Sequence, residues 1–82
     1  MQDAISQTIN QRFFQALDEL VAEGKTTYYR FCVEHNFTRR NFVRLKTEPQ
    51  REFQMSLLTI IVEKYGVSAI WLLTGRGEKS LT

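Results

Sequence analysis

The sequence predicts an all-α domain of five helices, on three observations. Apolar residues recur at spacings of three and four, no alternating strand pattern competes with them, and one Pro and four Gly are the only strong breakers in 82 residues.

The first helix is expected over about 8–23. Thr8 and Gln11 pair as a capping box, and Gly24 suits a left-handed stop. Ile9, Phe13, Ala16, Leu17, Leu20 and Val21 form its inner face, leaving Arg12, Gln15, Asp18, Glu19 and Glu23 to water. A second helix, 27–35, starts at Thr26 or Thr27 and turns Tyr28, Phe31, Cys32 and His35 inward. Asn36 ends it, because Asn tolerates the left-handed conformation. The third helix, 38–46, is capped by Thr38, with Phe37 and Phe42 as its hydrophobic staple. Pro49 opens a fourth, 50–65, whose polar strip is only Ser56, Thr59 and Glu63. So apolar a helix must be contacted on two sides, and it is expected to be the central one. Ser68 caps a fifth, 68–74, with Val67 and Leu72 as a second staple and Ile70, Trp71 and Leu73 along it. Residues 76–82 read as a frayed tail, and residues 1–82 as a single domain.

Composition narrows the functional classes. The chain is 43% hydrophobic and 24% charged, so it is expected to fold. One Cys and one His supply neither a disulfide nor the usual zinc ligand set, so no metal, disulfide or cofactor is expected. The N-terminal stretch lacks a signal-peptide core, and "LLTIIV" is too short to span a bilayer, so a cytoplasmic protein without membrane attachment is expected. The net charge of +2 is unevenly spread. Arg12 stands against Asp3, Asp18, Glu19 and Glu23 in residues 1–24. Lys25, Arg30, Arg39, Arg40, Arg44, Lys46 and Arg51 stand against only Glu34 and Glu48 in residues 25–51. A basic middle third is the footprint of a nucleic-acid binder, although charge runs are often only solvated faces.

The third helix sharpens that reading. At 100° per residue, Phe42 and Leu45 share one side, while Arg39, Arg40, Val43 and Arg44 share the other. Cations in a first helical turn oppose the macrodipole by roughly 0.3–1 kcal/mol each. Arg39 and Arg40 stand there with no acidic residue three or four positions on, as a phosphate-facing helix end would have them.

Two helices joined by a short turn, the second basic and amphipathic, match the helix-turn-helix arrangement. The span Tyr28 to Thr47 resembles the helix-turn-helix of lambda-repressor-like (Cro/repressor-type, XRE-like) DNA-binding domains. Cys32 stands at the small packed position, Asn36 at the turn position usually held by Gly, and Phe37, Phe42 and Leu45 at the apolar positions. "YGVSAIWLLTGRG", Tyr65 to Gly77, is similar to the stretch that follows the motif in many phage-type repressors. The resemblance covers about residues 8–77. It implies a compact five-helix lambda-repressor-like fold and a prokaryotic or phage transcriptional regulator, a repressor in type, acting as a homodimer on double-stranded DNA. It also implies base-edge or phosphate roles for Thr38, Arg39, Arg40, Val43 and Arg44, and phosphate contacts at Thr27 and Tyr28. Lys25, Lys46 and Arg51 are assigned to phosphates because they flank the motif, and an exposed Val suits a thymine methyl. A dimer is expected to use Met55, Leu58 and Val62, or the last helix.

Plainer readings stand beside these. Tyr28 divides between core and DNA, Tyr29 reads as a core aromatic, His35 and Cys32 as packing, and Trp71 as a core anchor. "TGRG" lacks the phosphate-loop spacing. The runner-up function is a protein-interaction module, an adaptor or antitoxin-like partner that keeps the fold. An enzyme is not expected, since one His, one Cys and two Asp assemble no nucleophile, base and orienting group, and no small-molecule substrate is evident.

Overall fold

The computed structural model describes residues 4–48 and 55–79. It has five helices: α1 (Ala4–Ala22), α2 (Tyr28–Glu34), α3 (Arg39–Thr47), α4 (Met55–Tyr65) and α5 (Ala69–Thr74). There is no β-strand among the described residues. Pro49, Arg51 and the expected first turn of the fourth helix lie outside them.

Local signals set most boundaries. The hydroxyls of Thr27, Thr38 and Ser68 accept hydrogen bonds from the amides of Arg30 (3.0 Å), Asn41 (3.2 Å) and Trp71 (3.2 Å). Each satisfies one of the orphan donors at a helix start. Asn36 has φ 53°, the one positive φ at a non-glycine among the described residues, and it reverses the chain between α2 and α3. Thr8 does not cap α1. The helix begins at Ala4, and Thr8 lies inside it, its hydroxyl donating to the Ala4 carbonyl at 2.9 Å. Residues 4–7 contain no breaker, and that back-bond satisfies the Thr side chain without ending the helix.

The centre of the domain is α1, rather than α4 as the apolar content of α4 suggests. Phe13, Phe14, Ala16, Leu17 and Leu20 of α1 are buried against α4 and α5 on one side and the α2–α3 pair on the other. Phe13 meets Phe31 of α2 at a ring separation of 6.0 Å, and Phe14 meets Phe42 of α3 at 5.4 Å, both edge-to-face. Helix α4 contributes only Leu57 and Ile61 as fully buried residues, and Met55 at its start is 76% exposed. In α5, Trp71 and Leu72 are buried, whereas Ile70 and Leu73 point to solvent.

Arg12, expected in water, instead closes α5. Its Nη1 donates to the Leu72 carbonyl at 3.2 Å, an acceptor the helix leaves unpaired and whose dipole end favours a cation. Residues 76–79 are not frayed. The Lys79 carbonyl accepts from the Ser68 amide at 2.8 Å, and the Lys79 ammonium reaches Glu19 at 2.8 Å while lying 5.6 Å from the Trp71 ring.

Gly75 and Gly77 both have φ 79°. An added Cβ at Gly77 meets nothing within 4 Å, whereas at Gly75 it would lie 2.9 Å from Arg12 Nη2. Gly77→Ala is therefore expected to cost about 1–2 kcal/mol from backbone strain alone, and Gly75→Ala more. Arg12→Ala should bring the two glycine substitutions to equal cost. Urea denaturation of the three single variants and of each glycine substitution in the Arg12→Ala background measures this, and equal losses in the parent background would remove the Arg12 contact from the account.

Candidate nucleic-acid interface

Phe42 fixes how α3 presents itself. Its ring is buried among Phe14, Phe31 (6.4 Å), Phe37 (6.4 Å) and Tyr28 (6.0 Å), and Leu45 is buried one turn later. With those two residues inward, Arg39, Arg40 and Val43 are exposed on the opposite side. No acidic residue occupies the first turn of α3, so its dipole and both guanidinium groups face outward uncompensated.

Ion pairing separates the cations that the sequence groups together. Arg44 lies 3.5 Å from Glu48 and Arg30 lies 3.5 Å from Glu34, each a one-turn pair on its own helix. Lys25, expected at phosphate, lies 3.7 Å from Glu23. Lys46 turns back to α1, with its ammonium 3.4 Å from Asp18 and 5.0 Å from the centre of the Tyr28 ring. Of the basic residues on α2 and α3, Arg39 and Arg40 alone make no ion pair or hydrogen bond among the described residues. The others are held by exposed pairs worth only about 0.2–1 kcal/mol, and a phosphate could displace the carboxylate.

Several side chains are placed otherwise than helical spacing suggests. Arg44 leans along the helix toward Glu48 instead of standing free beside Arg40, because Glu48 is one turn away on the same face. Lys46 braces α3 against α1 instead of ending a flanking turn. Thr27 and Thr38 stay exposed at their helix starts, their hydroxyl oxygens serving as caps. Tyr29 is no core aromatic: it is 74% exposed. It follows Tyr28 by one residue, which sets it about 100° round the helix from the centre of the stripe that holds Phe31 and Cys32, and only that angle in the sequence signals it. Cys32 is buried, and burial pushes its thiol above the usual range, with the Arg39 charge pulling weakly the other way. His35 packs 4.8 Å from the Phe31 ring, and its Nε2 lies 3.5 Å from the Tyr65 hydroxyl.

The Tyr28 hydroxyl donates to Asp18 at 2.5 Å, tying the start of α2 to the carboxylate that also holds Lys46. That hydrogen bond, then burial, then the Asp18 charge raise the phenol above its ordinary value of 10.0.

No group of three or more His, Cys, Asp or Glu that could hold a metal exists among the described residues, and no helix of the described residues is long and apolar enough to cross a membrane. No protein-family model matches the chain, and no curated protein or solved structure matches it.

Because the phenol is raised in the folded state, the Tyr28–Asp18 bond contributes fully below the unfolded phenol value and is lost as pH rises through the folded one. Tyr28→Phe is expected to cost about 1 kcal/mol at neutral pH, and the gap to the parent protein should close above about pH 10. Denaturation across that range, followed alongside tyrosinate absorbance, checks it. A gap that persists undiminished at high pH would mean the hydroxyl is not the source.

Proposed function

We propose that this chain is a sequence-specific, double-stranded DNA-binding regulator of transcription, a repressor of the lambda-repressor-like helix-turn-helix class acting in the cytoplasm on the nucleoid. The observation that carries the reading is the outward face of α3, where Arg39 and Arg40 stand around Val43 without an ion pair among the described residues while the neighbouring cations are paired. On stability grounds alone an acidic residue belongs in that first turn. An arginine pair there suits guanine edges and phosphate, which the helix dipole also favours. The short turn at Asn36 and the buried Phe42 give α3 the rigid mount that groove insertion requires.

The protein acts as a homodimer in this reading. Met55, Leu58 and Val62 of α4 with Ala69, Leu72 and Leu73 of α5 line an apolar groove of about 260 Å³, and Ile70 and Leu73 stand exposed beside it. A second copy related by two-fold symmetry covers the same face on both partners. It also sets two α3 helices against half-sites roughly 34–36 Å apart. Leu73→Glu should then leave the fold intact, abolish the dimer in sedimentation and weaken binding to a two-half-site duplex.

A duplex selected from random sequence provides the test of DNA recognition. Arg39→Ala and Arg40→Ala should each cost about 1–3 kcal/mol on the preferred site and relax discrimination at one base position. Lys25→Ala should weaken all duplexes alike and lower the salt slope by about one. Folded arginine variants that bind every duplex as well as the parent at low salt would overturn the reading, and the surfaces would then serve a protein partner.

A further inference from the structure

Two donors beside the arginine face are turned onto a single acidic oxygen. Tyr28 and Lys46 line the groove between α2 and α3 together with Arg39. The Tyr28 hydroxyl lies 2.5 Å and the Lys46 ammonium 3.4 Å from the same atom, Oδ1 of Asp18 on α1. These side chains come from three helices, and all three residues are exposed. A hydroxyl and an ammonium that converge on one point, in a groove shared with Arg39, form an anion site that suits a backbone phosphate as well as a carboxylate. We propose that Asp18 is a built-in competitor for this site, standing where a phosphate oxygen of DNA would bind and so lowering the protein's affinity for duplexes of any sequence; this rests on the DNA-binding reading above.

The donors make the competition direct. A phenol has one proton, and while Asp18 accepts it, Tyr28 offers a phosphate only lone pairs. The charge of Lys46 is likewise offset by the carboxylate beside it. A strand therefore gains either contact only by displacing Asp18. Stability does not account for the arrangement, because an exposed ion pair of this kind contributes little. Binding without sequence preference rests essentially on phosphate contacts, so a scrambled duplex reads the effect with no base contact to mask it. Glu19, the next residue, supplies the comparison, since it carries the same charge but is met by Lys79 from beyond α5.

Asp18→Asn and Glu19→Gln each remove one negative charge, so their binding to a scrambled duplex at low salt separates the site from the net charge. Asp18→Asn is expected to bind about fivefold more tightly than the parent, the scale of one exposed ion pair, and Glu19→Gln less than about twofold more tightly. Asn keeps an acceptor for the Tyr28 hydroxyl, so the fold should survive in thermal melts. Lys46→Ala should change the parent's affinity by less than about twofold, since Lys46 gives up one anion to gain another, yet cost about fivefold in the Asp18→Asn background. Equal gains from Asp18→Asn and Glu19→Gln would reduce the effect to net charge and overturn the proposal. Weaker binding by folded Asp18→Asn, or a fivefold loss from Lys46→Ala in the parent, would make Asp18 a brace and overturn it too, in each case leaving DNA binding in place. Failure of the parent and Asp18→Asn alike to bind any duplex at low salt would remove both readings together.

Discussion

Everything that faces outward on α3 depends on Phe42 facing inward. Its ring lies among Phe14 from α1, Phe31 and Tyr28 from α2, and Phe37 from the turn. Aromatic pairs at such separations add about 0.5–1.5 kcal/mol beyond the area they bury. More important than the energy is the angle: a helix of nine residues held by one ring and Leu45 has no freedom to rotate. Arg39, Arg40 and Val43 are displayed because two buried residues on the other side leave them no other direction.

Charge in this domain is divided in the same way. The acidic residues at the end of α1 and in the turn after it are each met by a lysine, Asp18 by Lys46, Glu19 by Lys79 and Glu23 by Lys25. Two of these contacts cross between elements distant in sequence, tying α3 and the chain beyond α5 to the central helix. None is strong, since all are solvent-exposed. Their effect is selective, holding Lys46 and Lys25 close to carboxylates while Arg39 and Arg40 have no ion pair among the described residues. Among the basic residues of α2 and α3, the unpaired charge lies at the start of α3.

A chain this short cannot bury all of its apolar residues. Helix α1 takes the central position, and Met55 of α4 remains in solvent with Ile70 and Leu73 of α5. The same shortfall leaves Tyr29 and Val43 bare between α2 and α3. Scattered apolar groups on a surface are ordinary. These occur in two clusters, each beside a concavity.

The starts of α2, α3 and α5 were legible from single residues, because capping and left-handed backbone are local chemistry, whereas that of α1 was not. Thr27, Thr38 and Ser68 cap where their hydroxyls reach amides three residues on, and Asn36 and Gly75 turn where Asn tolerates, and Gly without a Cβ permits, a positive φ. The buried stripe of Phe42 and Leu45, the exposure of Arg39, Arg40 and Val43, and the anchoring of Trp71 also follow from helical spacing alone. Partners across the fold do not. That Arg12 closes α5, that Lys46 turns to Asp18, that Lys79 folds back on Trp71, and that Tyr29 stands in solvent depend on which helix lies beside which. So does the central place of α1, since α4 is the more evenly apolar of the two. Periodicity fixes the angle of a side chain about its own axis, a property of a few consecutive residues. Which of those angles meets another helix is settled only when all five pack together, because ion pairs and aromatic contacts act over a few ångströms between residues dozens of positions apart.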